Sequence, residues 1–215
     1  MKYELELWTH LLGHPTCTEQ GIWSIKRGVG LGVVALIQRE DGSVRFIKKA
    51  PRPEYEFSGM WALPGGMIRG SADQQLYEAL RDSLQKRVLS ESGYDLSAAL
   101  DVKAIRIKPL PVTSYHARGA LRHTLILPFI TSDDNALLVP ASDPSVTDSS
   151  WLRPAEILHQ LAPANRLIVA WWLWPSLAPG VRGKIRSSVE RAWRNCKANA
   201  NIIGFPLPPV PWERN

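Results

Sequence analysis

Cysteine is nearly absent from this chain: Cys17 and Cys196 are the only two in 215 residues. They lie far apart and show no metal-ligand spacing, which points to a reduced, cytoplasmic protein rather than a disulfide scaffold. Long apolar runs are also missing. The longest, 167–174 and 31–37, are too short to span a bilayer, so no membrane partner is expected. Met1-Lys2-Tyr3-Glu4-Leu5-Glu6 has neither an apolar core nor a small-residue cleavage site, so no secretory leader is expected. Internal repeats are lacking. Acids are outnumbered, 20 against 26 Lys and Arg, and the net charge of +6 favours phosphorylated or polyanionic partners. Much of that excess falls in 182–197, where Arg182, Lys184, Arg186, Arg191, Arg194 and Lys197 stand against Glu190 alone. A basic helix is more often a solvated face than a nucleic-acid reader, so nucleic acid is the lesser reading.

What is present is the patterning of a soluble mixed α/β chain, with 45% apolar and 21% charged residues. Residues 3–8 alternate as a strand. Residues 10–20 read as a loop, 30–38 as a β-branched central strand, Asp41-Gly42 as a tight hairpin, and 44–48 as the returning strand. A further strand is expected over 60–68, running into Gly65-Gly66. A helix is expected over 73–92, with Ser71 or Asp73 as N-cap and Gly93 as its stop. Strands are expected at 102–108 and 121–131, the latter with Pro128 at an edge or bulge. Residues 143–150 read as a polar loop. Pro154 opens a short helix to 161, and two more helices cover 165–174 and 181–199. The proline-rich end, 205–212, reads as extended.

The run Gly59-Met60-Trp61-Ala62-Leu63-Pro64-Gly65-Gly66-Met67-Ile68, the helix after it and its end Ser90-Glu91-Ser92-Gly93-Tyr94 resemble the signature of the Nudix family. So does the flank Ser150-Trp151-Leu152-Arg153-Pro154-Ala155-Glu156, a Trp-led strand before a Pro-opened helix. The resemblance covers about 30–161. It implies an α/β/α sandwich around a mixed sheet, here with additional C-terminal helices. The expected division is a Nudix-like domain at 1–162 and a helical, proline-ended extension at 163–215. It also implies a hydrolase of phosphoanhydrides in nucleoside-diphosphate-linked substrates, which uses Mg2+ or Mn2+ held by glutamates on one helix face.

The signature is depleted in acids. Anchored on Gly93 and counted back without gaps, the family's first glutamate falls on Glu78, its arginine on Lys86 and its next glutamate on Arg87. The following glutamate pair falls on Ser90 and Glu91. A second register keeps Arg87 as the family arginine and again leaves Glu91 as the one acid of its cluster. Arg87 and Glu91 are four apart on one helix face, so a salt bridge between them is expected to stand where the family holds a metal. Divalent-ion affinity is then weak or absent. Glu78 and Glu91 are the candidate catalytic acids and, with Asp82, the candidate metal ligands. Gly65, Gly66, Lys49, Arg52, Lys86 and Arg87 are the candidate contacts to a nucleotide or other phosphorylated small molecule.

Other features have plainer readings. Gly28-Val29-Gly30-Leu31-Gly32 precedes a strand, not a helix, so it reads as close strand packing rather than a phosphate cradle. His10, His14 and Cys17 lack a fourth ligand and zinc spacing. His116 and His123 read as structural. Trp171, Trp172 and Trp174 read as core or an oligomer interface, which leaves a homodimer open. Three functions follow: a hydrolase with a weakened metal site, an inactive nucleotide-ligand binding or sensor protein on the same fold, and an interaction module using the Trp-rich helices.

Overall fold

The computed structural model describes residues 13–25, 28–52, 57–97, 110–115, 121–132, 138–204, 207 and 209–213, with the side chains of 110–115, 121–123 and 203 outside that description. The expected strands at 3–8 and 102–108 lie outside the described residues, as do His10, Lys103, Arg106, Lys108, His116 and the side chain of His123.

The strands are β1 Thr16–Cys17, β2 Trp23–Ile25, β3 Val29–Gln38, β4 Val44–Lys49, β5 Trp61–Ala62, β6 Gly65–Met67, β7 Leu110–Tyr115, β8 Leu121–Ser132 and β9 Val146–Leu152. The helices are α1 Leu76–Ser92, α2 Pro154–Ile157, α3 Pro163–Leu173 and α4 Pro179–Ile203. Among the described residues the strands form one mixed sheet, ordered β1-β2-β3-β4-β5, with β6 and β8 also on β3, β7 on β8 and β9 on β4. The β3–β8 pair is parallel and the others antiparallel.

Strand β3 shows why the fold has three layers. It is buried almost throughout. Its pleat sends Val33, Ala35 and Ile37 toward Ala79, Leu80, Leu84 and Val88 of α1. Val34 and Leu36 point the other way, toward Leu167, Ile168 and Trp171 of α3 and Val189 and Cys196 of α4. A strand covered on both faces must be apolar at consecutive positions, and 33–37 is. Each fully buried leucine such as Leu80 contributes about 2 kcal/mol of apolar burial.

Several expectations are corrected. The strand expected over 60–68 is broken at Leu63-Pro64 into β5 and β6. Helix α1 begins later than Ser71 or Asp73: Gln75 is its N-cap, in a capping box with Glu78, and the Ser71–Asp73 pair forms a turn ahead of it. Residues 146–150, expected as part of a polar loop at 143–150, instead join the Trp-led strand in β9 on β4, because backbone pairing holds a strand without apolar alternation. The tail is not wholly extended: Pro211–Glu213 forms a 310 turn that sets Trp212 on Trp174, ring centroids 5.1 Å apart. Gly93 ends α1 in the left-handed conformation at φ 69°, as its residue type implies. Pro128 pairs with Val34 of β3 and lies beyond the end of the described β7 ladder.

One buried arginine ties the C-terminal helices together. Arg166 on α3 donates to the carbonyls of Leu158 (3.0 Å), His159 (2.9 Å) and Leu161 (2.8 Å) and to Ser188 Oγ on α4 (2.7 Å). Those carbonyls belong to the 310 turn that follows α2 and to the residue that caps it.

Candidate functional site

The site is built where β6 crosses β3 and the C-terminal turn of α1 comes up beneath it. Gly65 sits at φ 150°, and a Cβ there would lie 2.2 Å from the Val33 carbonyl oxygen, so the close β3–β6 crossing requires glycine. That crossing aims the Gly65 N–H at Glu91 Oε2, 2.8 Å away. The other carboxylate oxygen, Oε1, accepts from Lys49 Nζ at the end of β4, at 2.9 Å. The Glu91 side chain is 3% exposed and that of Lys49 is 30% exposed. The carboxylate is therefore interior and the ammonium faces outward from it. Burial pushes the Glu91 carboxyl above the ordinary range; Lys49 and the Gly65 N–H pull against this, and Asp143 adds to it.

Arg87 does not pair with Glu91 as its spacing suggested. It crosses Gly66, whose absent Cβ would stand 3.4 Å from Arg87 Nε, and donates to Asp143 Oδ2 at 3.3 Å. Burial pushes the Asp143 carboxyl up, but hydrogen bonds from Ser145 and the charges of Arg87 and Lys49 outweigh it and hold the group below its usual range. Arg52 joins the same loop: its N–H donates to Ser58 Oγ (2.6 Å) and its guanidinium to the Pro144 carbonyl (3.4 Å). Lys49, Gly65 and Glu91 are thus one cluster, with Arg87, Asp143 and Arg52 adjoining it.

The other candidates lie apart. Glu78 is exposed, and its Oε2 accepts from the Gln75 N–H at 3.4 Å, completing the capping box. Asp82, also exposed, accepts from Gln74 Nε2 at 2.8 Å. Asp82, Lys86 and Arg87 line an outer depression of about 510 Å³ with Arg69, Ser90 and Asp143. Lys49, Gly65 and Gly66 line a different cleft, of about 430 Å³, between the sheet and the C-terminal helices. Its floor is Gly32, Val34, Thr124 and Ile126. Its far side is the start of α3 and the Asn195, Cys196 and Asn199 edge of α4. Asn165 is also there, and its Oδ1 accepts the Leu63 N–H at 2.9 Å. Sequence reasoning missed Asp143, Asn165, Asn195 and Asn199. For the last two the available signal was their i, i+4 spacing on a helix.

A magnesium ion takes an octahedron of oxygen ligands. Glu91 gives its two oxygens to Lys49 and Gly65, and Asp143 gives its two to Arg87 and the Ser145 N–H (2.8 Å). Among the described residues no three His, Cys, Asp or Glu side chains converge on one point. The residues present do not fit the dication that the sequence resemblance implies.

The chain is an α/β/α sandwich with a glycine-lined cleft and a buried glutamate beneath the glycine pair. A family model described as NUDIX domain matches residues 28–172, and this chain belongs to the Nudix family. Among solved structures it is similar to a MutT protein from Methanosarcina mazei, at 18% identity over 66% of this chain and 91% of that one, TM-score 0.41. It is similar to the NUDIX domain of Shewanella oneidensis NrtR, a complex with ADP ribose, at 22% identity over 67% and 85%, TM-score 0.43. It is also similar to a bifunctional NMN adenylyltransferase/ADP ribose pyrophosphatase from Francisella tularensis, at 17% identity over 81% and 46%, TM-score 0.46. No curated protein matches the chain. No helix of the described residues is long and apolar enough to cross a membrane.

Proposed function

We propose that this protein is a Nudix-fold binding module for a phosphorylated, nucleotide-type small molecule, in which the Lys49 ammonium serves where relatives would place a dication. The observation that carries this reading is the Lys49–Glu91 pair. A buried carboxylate under the glycine loop holds a lysine at 2.9 Å, and that lysine reaches the cleft. The ammonium supplies a positive donor at the cleft for a phosphate group. Glu91 acts as the anchor that aims Lys49. Its side chain is interior, 3% exposed, and turned to Lys49 and Gly65 rather than to a water in the cleft.

Calorimetry with a nucleoside diphosphate, with magnesium and again with excess chelator, tests this. The reading expects equal affinity in both, loss of binding in Lys49→Met, and no phosphate-terminated product after prolonged incubation. The second reading, hydrolysis with a weakened metal site through Glu91 and Glu78, rests on family membership. Magnesium-dependent product release that vanishes in Glu91→Gln would establish it and overturn the first.

A further inference from the structure

We propose that the outward face of helix α4 is a docking surface for duplex DNA, held through the phosphates that rim its major groove. None of the side chains on this face lines the cleft, so its occupancy is separate from the ligand reading above.

Helix α4 holds six Lys and Arg against Glu190 alone, a net +5 of the chain's +6. Its two sides differ. Ile185, Val189, Ala192, Cys196 and Ala200 form a buried stripe at helical spacing. Lys184, Ser187, Arg191, Arg194 and Ala198 repeat that three- and four-residue spacing on the opposite side, and all five are exposed. On the flanks Arg186 pairs with Glu190 at 3.2 Å, and Lys197 Nζ lies 4.8 Å from the Trp193 ring centroid. Among the described residues no acid pairs with Lys184, Arg191 or Arg194. Strand β7 packs beside α4, and the sequence from 110 to 123 contains no acid. A solvated helix face ordinarily mixes both signs of charge, and this stripe carries one.

A further cation lies beneath this face. Arg166 is 9% exposed and donates only to neutral acceptors, three carbonyls and Ser188 Oγ on α4. Burial, with the charge of Arg191, pulls its guanidinium below the ordinary value. A buried cation without a counter-ion is weakly screened. Its repulsion with Arg191 is relieved when an anion lies over that residue.

The face also narrows the kind of anion. Between 184 and 198 its exposed neutral residues are Ser187, Asn195 and Ala198, so it has no large apolar side chain to enter a bilayer. Four of the six cations on the helix are arginines, whose planar fork suits phosphate. Lys184 to Arg194 covers about 15 Å of helix, a row that isolated acidic side chains do not match but the continuous charge of a duplex does. A convex helix face meets the rims of the B-form major groove, about 12 Å wide, whereas the major groove of duplex RNA is too narrow for it.

The test is fluorescence anisotropy of the full chain with a labelled DNA duplex of about 20 base pairs, at several salt concentrations. Wild type is expected to bind in low salt and to weaken about 40-fold between about 50 and 200 mM, as three phosphate contacts require. Lys184→Gln/Arg191→Gln/Arg194→Gln is expected to lose about tenfold or more in low salt, and most of the salt dependence, with a melting temperature close to that of wild type. Each single variant should cut the salt slope by about 0.9, which keeps the test open if the triple variant melts early. Arg81→Gln/Arg153→Gln, exposed cations elsewhere, should bind as wild type does. No binding in low salt, a triple variant that binds like wild type, or an Arg81→Gln/Arg153→Gln variant that loses as much overturns the proposal. So does equal or tighter binding of duplex RNA, polyglutamate or phosphatidylserine vesicles, each of which would assign the face to a different partner.

Discussion

The two ends of helix α1 carry similar acids in dissimilar surroundings. At the N-terminal end Glu78 and Asp82 are exposed and each bonds to a residue within the same local segment, Gln75 and Gln74. At the C-terminal end Glu91 is buried and its partners, Lys49 and Gly65, are 42 and 26 residues away. The first pair shapes a helix start. The second ties β4, β6 and α1 together beneath a cleft. Burial and long-range pairing separate these roles; residue type and spacing do not.

Substitutions sharpen that contrast in a graded way. Gly65→Ala has the largest expected effect. A Cβ placed 2.2 Å from the Val33 carbonyl oxygen cannot be relieved by a side-chain movement. The β3–β6 crossing should open at a cost of about 3 kcal/mol or more, read by chemical denaturation. Lys49→Met comes next. It strands a buried carboxylate, but the lysine tip is 30% exposed, so the cost should be about 2 kcal/mol rather than the fully buried figure. Asp82→Asn should change stability by less than about 0.5 kcal/mol, because its one bond is exposed. If Asp82→Asn costs as much as Lys49→Met, the two ends are not distinct.

A gain of function probes the same contrast. Arg87→Glu removes the cation on Asp143 and sets a carboxylate one turn from Glu91. Calorimetric titration with magnesium or manganese should show tighter binding than wild type, since ligand number and charge both rise. Unchanged affinity would mean that Arg87 does not occupy the place of a metal ligand.

Much of the frame was legible from local pattern: the run that became β3, the Asp41-Gly42 turn and the stop at Gly93, whereas Gly65-Gly66, expected as a loop, lies in β6. These depend on backbone conformation and burial, which leave marks in neighbouring residues. The site was legible as a list but not as pairs. Arg87 and Glu91 are four apart on one helix, yet each found its partner elsewhere, because the β4–β5 edge and the 143–145 loop brought Lys49 and Asp143 closer. The first half of strand β9 was hidden for a related reason, although its Trp-led end was expected. Thr147, Asp148, Ser149 and Ser150 lack apolar alternation, and their pairing with β4 is a tertiary fact. Asn195 and Asn199 gave no sign that their helix would close a cleft.

The most direct test of the central claim, that an ammonium neutralises Glu91 under the glycine loop, is the melting temperature of wild type and Lys49→Met across pH 4 to 8. Burial already raises the Glu91 carboxyl above its ordinary value, and removing Lys49 should raise it further. A carboxyl raised in the folded state supports the fold while protonated and withdraws that support as pH rises through the raised value. The account predicts that the two proteins melt close together near pH 4 and diverge steadily toward neutral pH, with Lys49→Met the less stable. A gap that stays constant with pH would contradict it.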